Sequence, residues 1–366
     1  MNNDKFKRFL ISSAVPILFI IITAVAIPLS KYSGNYLLSQ IITRLSRNSF
    51  LVLALLLPIM AGMGINFGMI LGAMAGQIGL IFVNDWGIGG ILGILIAALI
   101  STPISIGLGW FAGQVLNRAK GREMITSMLL GFFVSSIYQI FLLFICGSLI
   151  PFKSPLMILS RGYGVRNSMM LNVAQALDNS LWIPIAGTII PVGTFLVIAL
   201  FCLFTAWFRK TKIGQDMRAV GQDMGVSNTA GIKVDKIRIQ SIIISTVLAC
   251  YGQIIYLQNM GTLNTYSGAD QVGLFAAAAL LVGGASVNKA SVINVIIGTA
   301  LFHLMFIVVP MAGQNVTGQA DLGEYLRVCV SYGVVTIALV LHAWKRQKDK
   351  ELGRAHLRNA QLGKEK

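Results

Sequence analysis

Residues 209–238 read RKTKIGQDMRAVGQDMGVSNTAGIKVDKIR, with seven basic and three acidic side chains in thirty positions and long apolar runs on either side. A segment this charged cannot enter hydrocarbon, so it lies in water beside a bilayer that the flanking runs cross. Its basic excess predicts the cytoplasmic side, where loops retain Lys and Arg.

Composition agrees. Of 366 residues, 55% are hydrophobic and only 11% charged, with a mean hydropathy of +0.76. Soluble domains carry roughly a quarter of their residues as charges, so an all-α polytopic membrane protein is expected. The net charge of +16 does not imply nucleic acid, because most basic residues flank apolar spans. Cys146, Cys202, Cys250 and Cys329 stand alone in apolar runs, without metal-ligand spacing.

A span needs about 20 mostly apolar residues. About ten runs qualify: 9–29, 49–65, 67–83, 87–116, 124–149, 188–208, 239–258, 269–285, 291–311 and 326–344. The third and eighth are short and Gly-rich, as broken or half-crossing elements would be. Lys5, Lys7 and Arg8 precede the first run, and Ala24-Val25-Ala26 resembles a signal cleavage site; the length of the run predicts a retained helix instead. With both termini inside, 22 of the 29 basic residues fall on the inner side and seven on the outer. Residues 30–48 place three of those seven outside and are expected to lie along the interface. The chain thus divides into a transmembrane domain, 1–344, with the inner loop 209–238 and an outer loop 150–187, and a charged, solvated cytoplasmic tail, 345–366.

Gly64, Gly68, Gly72 and Gly76 recur every four residues. On a helix they would share a face and let another backbone pack closely. Asn66, Gln77, Tyr138, Gln139, Gln253, Asn294 and His303 are polar residues in apolar sequence, and polar groups at membrane depth face the bundle interior or a wet cavity. Together they suit an uncharged, hydroxyl-rich solute, because amides both donate and accept hydrogen bonds. No Asp, Glu, Lys or Arg falls mid-span, and Asp270 sits at a span edge. No Gly-rich phosphate loop ends in Gly-Lys-Ser/Thr, and no His-Glu-x-x-His occurs. A pore or carrier is implied, with neither catalytic residues nor metal nor cofactor on this chain, and any pumping energy comes from a partner.

Gly214-Gln215-Asp216-Met217-Arg218-Ala219-Val220-Gly221, followed by Ala230-Gly231-Ile232-Lys233-Val234, resembles the cytoplasmic loop of bacterial ABC importer permeases of the ribose, nucleoside and branched-chain amino acid subfamily. Gly64-Ile65-Asn66-Phe67-Gly68 through Gly76-Gln77 resembles the early Gly-rich segment of the sugar and nucleoside members. Ala276 to Leu281 with Val282-Gly283-Gly284-Ala285-Ser286, and Val292 on through Ile297-Gly298-Thr299-Ala300, resembles their Gly-Gly span and the helix after it. The sequence departs from the pattern at Asn66, at Val226-Ser227-Asn228-Thr229 and at Val287-Asn288-Lys289-Ala290.

The resemblance implies a bacterial cytoplasmic-membrane permease paired with a second permease, as homodimer or heterodimer. A separate ATPase would bind ATP and Mg and receive a short helix near 215–226, with Gly214, Arg218, Gly221 and Gly231 in the coupling element. An extracytoplasmic binding protein would deliver the solute, a simple sugar or nucleoside. The alternatives are a branched-chain amino acid permease, an ion-coupled carrier acting alone, and a membrane-embedded enzyme; the missing buried charge and catalytic cluster count against the last two.

Overall fold

Apolar runs in hydrocarbon must satisfy their own backbone hydrogen bonds, and helices do so within one segment. The computed structural model describes residues 14–185, 188–287 and 289–330, with 332, 333, 336, 337 and 340 beyond. The basic N-terminal residues, the charged tail and about half of the expected last span lie outside the described residues. The chain divides into two units, the larger being Tyr32–Leu304.

The larger unit begins with α2 (Gly34–Leu53), α1 being Ala14–Ser30 of the other unit. It continues with α3 (Leu56–Met60), a 3-10 turn Phe67–Met69, α4 (Ile70–Asp85), α5 (Gly90–Arg118) and α6 (Glu123–Ile140), extended by a π turn to Ile145. After β1 (Ser168–Met170), β2 (Trp182–Ile185) and β3 (Thr188–Pro191) come α7 (Val192–Phe208), α8 (Lys212–Gln222), α9 (Met224–Thr229) and α10 (Val234–Met260). β4 (Thr262–Asn264), α11 (Val272–Val282) and the first part of α12 (Val292–Thr317) complete it. β1 pairs antiparallel with β4, Met169 opposite Leu263, and β2 with β3. These four short strands qualify the all-α expectation.

α10 is the central post, packed against α5 and α4. Its buried face carries Ile242, Ala249, Cys250 and Ile254. α5 turns Leu92, Leu95, Leu99 and Trp110 outward, as a lipid-facing helix does. Among the described residues, five helices are long and apolar enough to cross a bilayer: Phe67–Asp85, α5, Glu123–Ile145, α10 and α12. A sixth results if α7 and α8, bent by 71°, count as one. Lys212, Asp216 and Arg218 make α8 a surface helix instead, while α7 alone rises about 25 Å.

The ten expected runs differ from these helices for local reasons. The run 49–65 is not a single span. Pro58 has no N–H to give the Ala54 carbonyl, and Ser245 Oγ on α10 donates to that oxygen at 2.8 Å. Gly62 and Gly64 then take φ of +74° and +73°, which unwinds the chain until Asn66. This irregular backbone is buried in protein, the setting in which a membrane tolerates it. Residues 30–48 do not form a separate interfacial helix, because α2 runs on unbroken to Leu53. The third run, Phe67–Asp85, is continuous, the break lying before it; the eighth holds only the 11-residue α11.

Of the expected outer loop 150–187, residues 150–185 are described and held to the bundle. Asp85 at the end of α4 accepts the Lys153 and Ser154 amides at 3.1 and 2.9 Å. Gln175 N donates to the Gln258 carbonyl at 2.7 Å. These contacts gather at the C-terminal end of α10, whereas α8 and α9 lie at its N-terminal end, about 40 Å away along 27 residues of helix.

In the smaller unit, Asn315 Nδ2 donates to the Leu29 and Ser30 carbonyls at 2.9 and 3.1 Å. Residues 320–330 are helical, and a Cβ at Gly313 would come within 3.0 Å of Gly323 Cα.

Candidate functional site

Four of the polar residues singled out above meet within the bundle. Tyr138 Oη on α6 donates to Gln77 Oε1 on α4 at 2.9 Å. Gln253 Nε2 on α10 donates to the Gly268 carbonyl at 3.2 Å, and Gln139 Nε2 to the Tyr266 carbonyl at 3.4 Å. Ser135 Oγ donates to Asp270 Oδ1 at 3.1 Å. Gln77 and Gln253 are fully buried, and Gln77 Nε2 and Gln253 Oε1 have no hydrogen-bond partner among the described residues. A donor and an acceptor thus stand open on two spans around the turn 265–271. A Cβ on Gly268 would come within 2.5 Å of the Asn264 carbonyl and 2.7 Å of Gln77 Nε2, so the backbone of the turn favours glycine there.

The other three candidates lie elsewhere. Asn66 caps the 3-10 turn, its Oδ1 accepting from Gly68 N at 3.0 Å; it sits eleven residues before Gln77, roughly 15 Å along the axis. Ser127 Oγ accepts from Phe67 N at 3.1 Å beside it. Asn294 donates to the Gly283 carbonyl at 2.6 Å and accepts from Ser291 N at 3.0 Å, locking Gly283 against Gly298. His303 is buried on α12 with its ring edge-on to Phe302.

The glycine series does not form one helical face. Gly64 lies in the unwound stretch and Gly68 in the 3-10 turn. Gly72 and Gly76 alone are on α4, and both face α10: a Cβ on Gly72 would overlap the Thr246 carbonyl, and one on Gly76 would come within 2.7 Å of the Cys250 carbonyl.

At the opposite end, the charged island folds into two helices. Thr211 Oγ1 accepts from Gly214 N at 3.3 Å to start α8, and a Cβ on Gly214 would overlap the Phe208 carbonyl at the bend from α7. Asp223 Oδ1 accepts from Gly225 N and Val226 N at 2.7 and 3.0 Å to start α9. Gly231, at φ +84°, turns the chain into α10. Met217 and Val220 are buried, and α8 meets the unwound stretch backbone to backbone, a Cβ on Gly62 reaching within 2.8 Å of Gly221 Cα. Arg218 stays exposed.

A family model described as branched-chain amino acid transport system / permease component matches residues 10–341. The chain belongs to this permease family. It is 29% identical over 118 residues to the probable ABC transporter permease protein YphD of Escherichia coli (strain K12), which is 32% of this chain and 35% of that protein. It is 25% identical over 164 residues to the xylose transport system permease protein XylH of Haemophilus influenzae, 44% of this chain and 41% of that one. The chain thus spans well under half the length of these relatives. No solved structure matches it significantly.

Two charged residues of the bundle escape sequence reasoning. Arg238, the last residue of the island, is fully buried: its Nη2 lies 2.5 Å from Glu123 Oε1, its Nε donates to Asn117 Oδ1 at 3.0 Å, and its Nη1 lies 3.2 Å from Met224 Sδ. It ties α9 and α10 to the facing ends of α5 and α6. Its position one turn inside an apolar helix is the signal that could have separated it from the solvated charges. Asp270 was visible only as a charge at a span edge.

Proposed function

We propose that this permease is the transmembrane subunit of an ATP-driven importer for a small neutral, hydroxyl-rich solute, a simple sugar or nucleoside, in the bacterial cytoplasmic membrane. The observation that carries the reading is the α8–α9 pair: capped, anchored in the bundle through Met217, Val220 and Gly221, and exposing Arg218. A separate ATPase, holding ATP and Mg, docks there from the cytoplasm, with both termini of the permease on that side. A second permease copy or homologue completes the path, and a binding protein delivers solute to the face of 150–187. XylH, named for xylose transport, supports the sugar assignment. So does the cluster: Gln77 and Gln253 offer an open donor and acceptor, and Asp270 is in no ion pair among the described residues, so it brings no cation to receive the carboxylate of an amino acid.

Gentle purification from native membranes tests this reading by mass spectrometry of the partners. Arg218→Glu is expected to weaken association with the ATPase by about 2–5 kcal/mol, as charge reversal in an interface does, with the unfolding temperature unchanged. Normal ATPase recovery and uptake by that variant would remove Arg218 from the contact. Gln253→Leu is expected to lower solute affinity by about tenfold, one desolvated hydrogen bond, while ATPase association persists. Uptake kinetics equal to those of the unaltered protein would take Gln253 out of the path.

A further inference from the structure

Asp270 lies deeper than its place in the sequence indicates. Ser135, which donates to Asp270 Oδ1 at 3.1 Å, stands near the middle of the Glu123–Ile145 span, about 15 Å or more from either end. The turn between β4 and α11 thus carries a carboxylate down beside α6. Among the described residues the Ser135 hydroxyl is its one side-chain hydrogen bond, and it is in no ion pair. Asp270 is half-buried. So is Gln139, one turn beyond Ser135 on the same edge of α6. A carboxylate at this depth without a cation faces water rather than lipid, so this edge of α6 and the turn 265–271 form a wall of the solute path.

The hydrogen-bonding capacity of that wall is lopsided. An ionised Asp only accepts, through about four lone-pair directions on its two oxygens, and Ser135 occupies one of them. Gln253 Oε1 is a further open acceptor, while Gln77 Nε2, behind Gly268, is the open buried donor of the cluster. A solute that satisfies these groups brings more donors than acceptors and no negative charge of its own. We propose, on the neutral-solute reading above, that Asp270 sets the specificity of the path by accepting from two adjacent hydroxyls at once. The solute is then an unphosphorylated polyol with a free vicinal diol, and a nucleoside would meet the wall with its ribose rather than its base. Sugar acids and sugar phosphates would bring a second negative charge beside the first, which costs most at low dielectric.

The test is equilibrium binding to the permease in lipid nanodiscs, together with the partners that co-purify. The probes are labelled D-ribose, D-xylose and adenosine, each beside its monodeoxy analogues. At least one parent probe is expected to bind, and loss of a hydroxyl of the diol should weaken it about tenfold, the worth of a hydrogen bond to a charged group. Asp270→Asn should weaken the parent probe and shrink the difference between parent and deoxy analogue, because that difference is made at the carboxylate. Ser135→Ala leaves the carboxylate in place and should keep the difference. A parent-to-deoxy ratio equal in Asp270→Asn and the unaltered protein would overturn the role of Asp270 and leave the neutral-solute reading standing. If no neutral probe binds, that reading itself fails, and this role with it. Should Asp270→Asn not fold, Asp270→Glu keeps the charge and moves both oxygens outward by one methylene. It is expected to reorder the preference among the deoxy probes, and an unchanged order would equally overturn the proposal.

Discussion

Arg238→Ala is expected to destabilise the permease by about 3–5 kcal/mol, the cost of leaving one member of a buried ion pair alone. The Glu123 carboxylate would remain at the junction of α5 and α6 without its guanidinium, and Asn117 Oδ1 would lose its donor. Burial is what makes the effect large. The neighbouring Lys120–Asp235 pair, at 2.6 Å but 47% and 64% exposed, is screened by water, and Lys120→Ala should change stability by less than about 1 kcal/mol. Thermal unfolding in a mild detergent reads both. The Arg238→Met/Glu123→Leu double variant removes both charges and keeps the volume, so it should recover most of the loss. An Arg238→Ala variant that unfolds with the unaltered protein would show that water or another group already serves Glu123.

Gly72→Leu is expected to prevent folded permease from accumulating. Overpacking in a core costs about 1–3 kcal/mol where side chains can shift, but here the obstacle is backbone: the new Cβ would overlap the Thr246 carbonyl and lie 3.0 Å from Ala249 Cβ. To make room, α4 must leave α10, taking Gln77 away from Gln253. Gly76→Ala, which meets the Cys250 carbonyl at 2.7 Å, should be milder. Gly107→Ala on α5 meets nothing within 4 Å and should be neutral or slightly stabilising, by up to about 1 kcal/mol. Yield of monodisperse protein from membranes distinguishes the three. Equal yields for Gly72→Leu and Gly107→Ala would mean that the α4–α10 contact is not tight.

The membrane character and a helical island are legible in the sequence, from the hydrocarbon on either side of 209–238 and the turn at Gly231; the single short helix expected near 215–226 is instead two, because Asp223 leaves the helical conformation and caps the start of α9. The break at 54–66 is not legible by hydropathy, since LALLLPIMAGMGI is as apolar as a span. What decides it is one missing N–H at Pro58 and two left-handed glycines, Gly62 and Gly64. The same glycines undo the four-residue series, which presumes a helix from residue 64 onward. Polarity at depth identifies Gln77, Tyr138, Gln139 and Gln253, but it carries no address. It could not say that these four meet around 265–271 while Asn294 ties up the carbonyl of Gly283 and Asn66 caps a turn. Arg238 is hidden for the opposite reason: a count of charges along a loop cannot tell a solvated one from one clamped between helix ends.

The contact between Gly221 and Gly62 has a mechanical meaning. An intact helix is stiff along its axis, because every turn is tied to the next. Residues 61–66 have no such ladder, and they are the part of the membrane-embedded chain that α8 touches backbone to backbone. Load placed on α8 therefore enters at a compliant joint, pinned on one side by Ser245 and on the other by Ser127. A displacement there can turn Phe67–Asp85 as a single rod, with Gln77 moving at its middle, and no regular helix has to be broken to allow it.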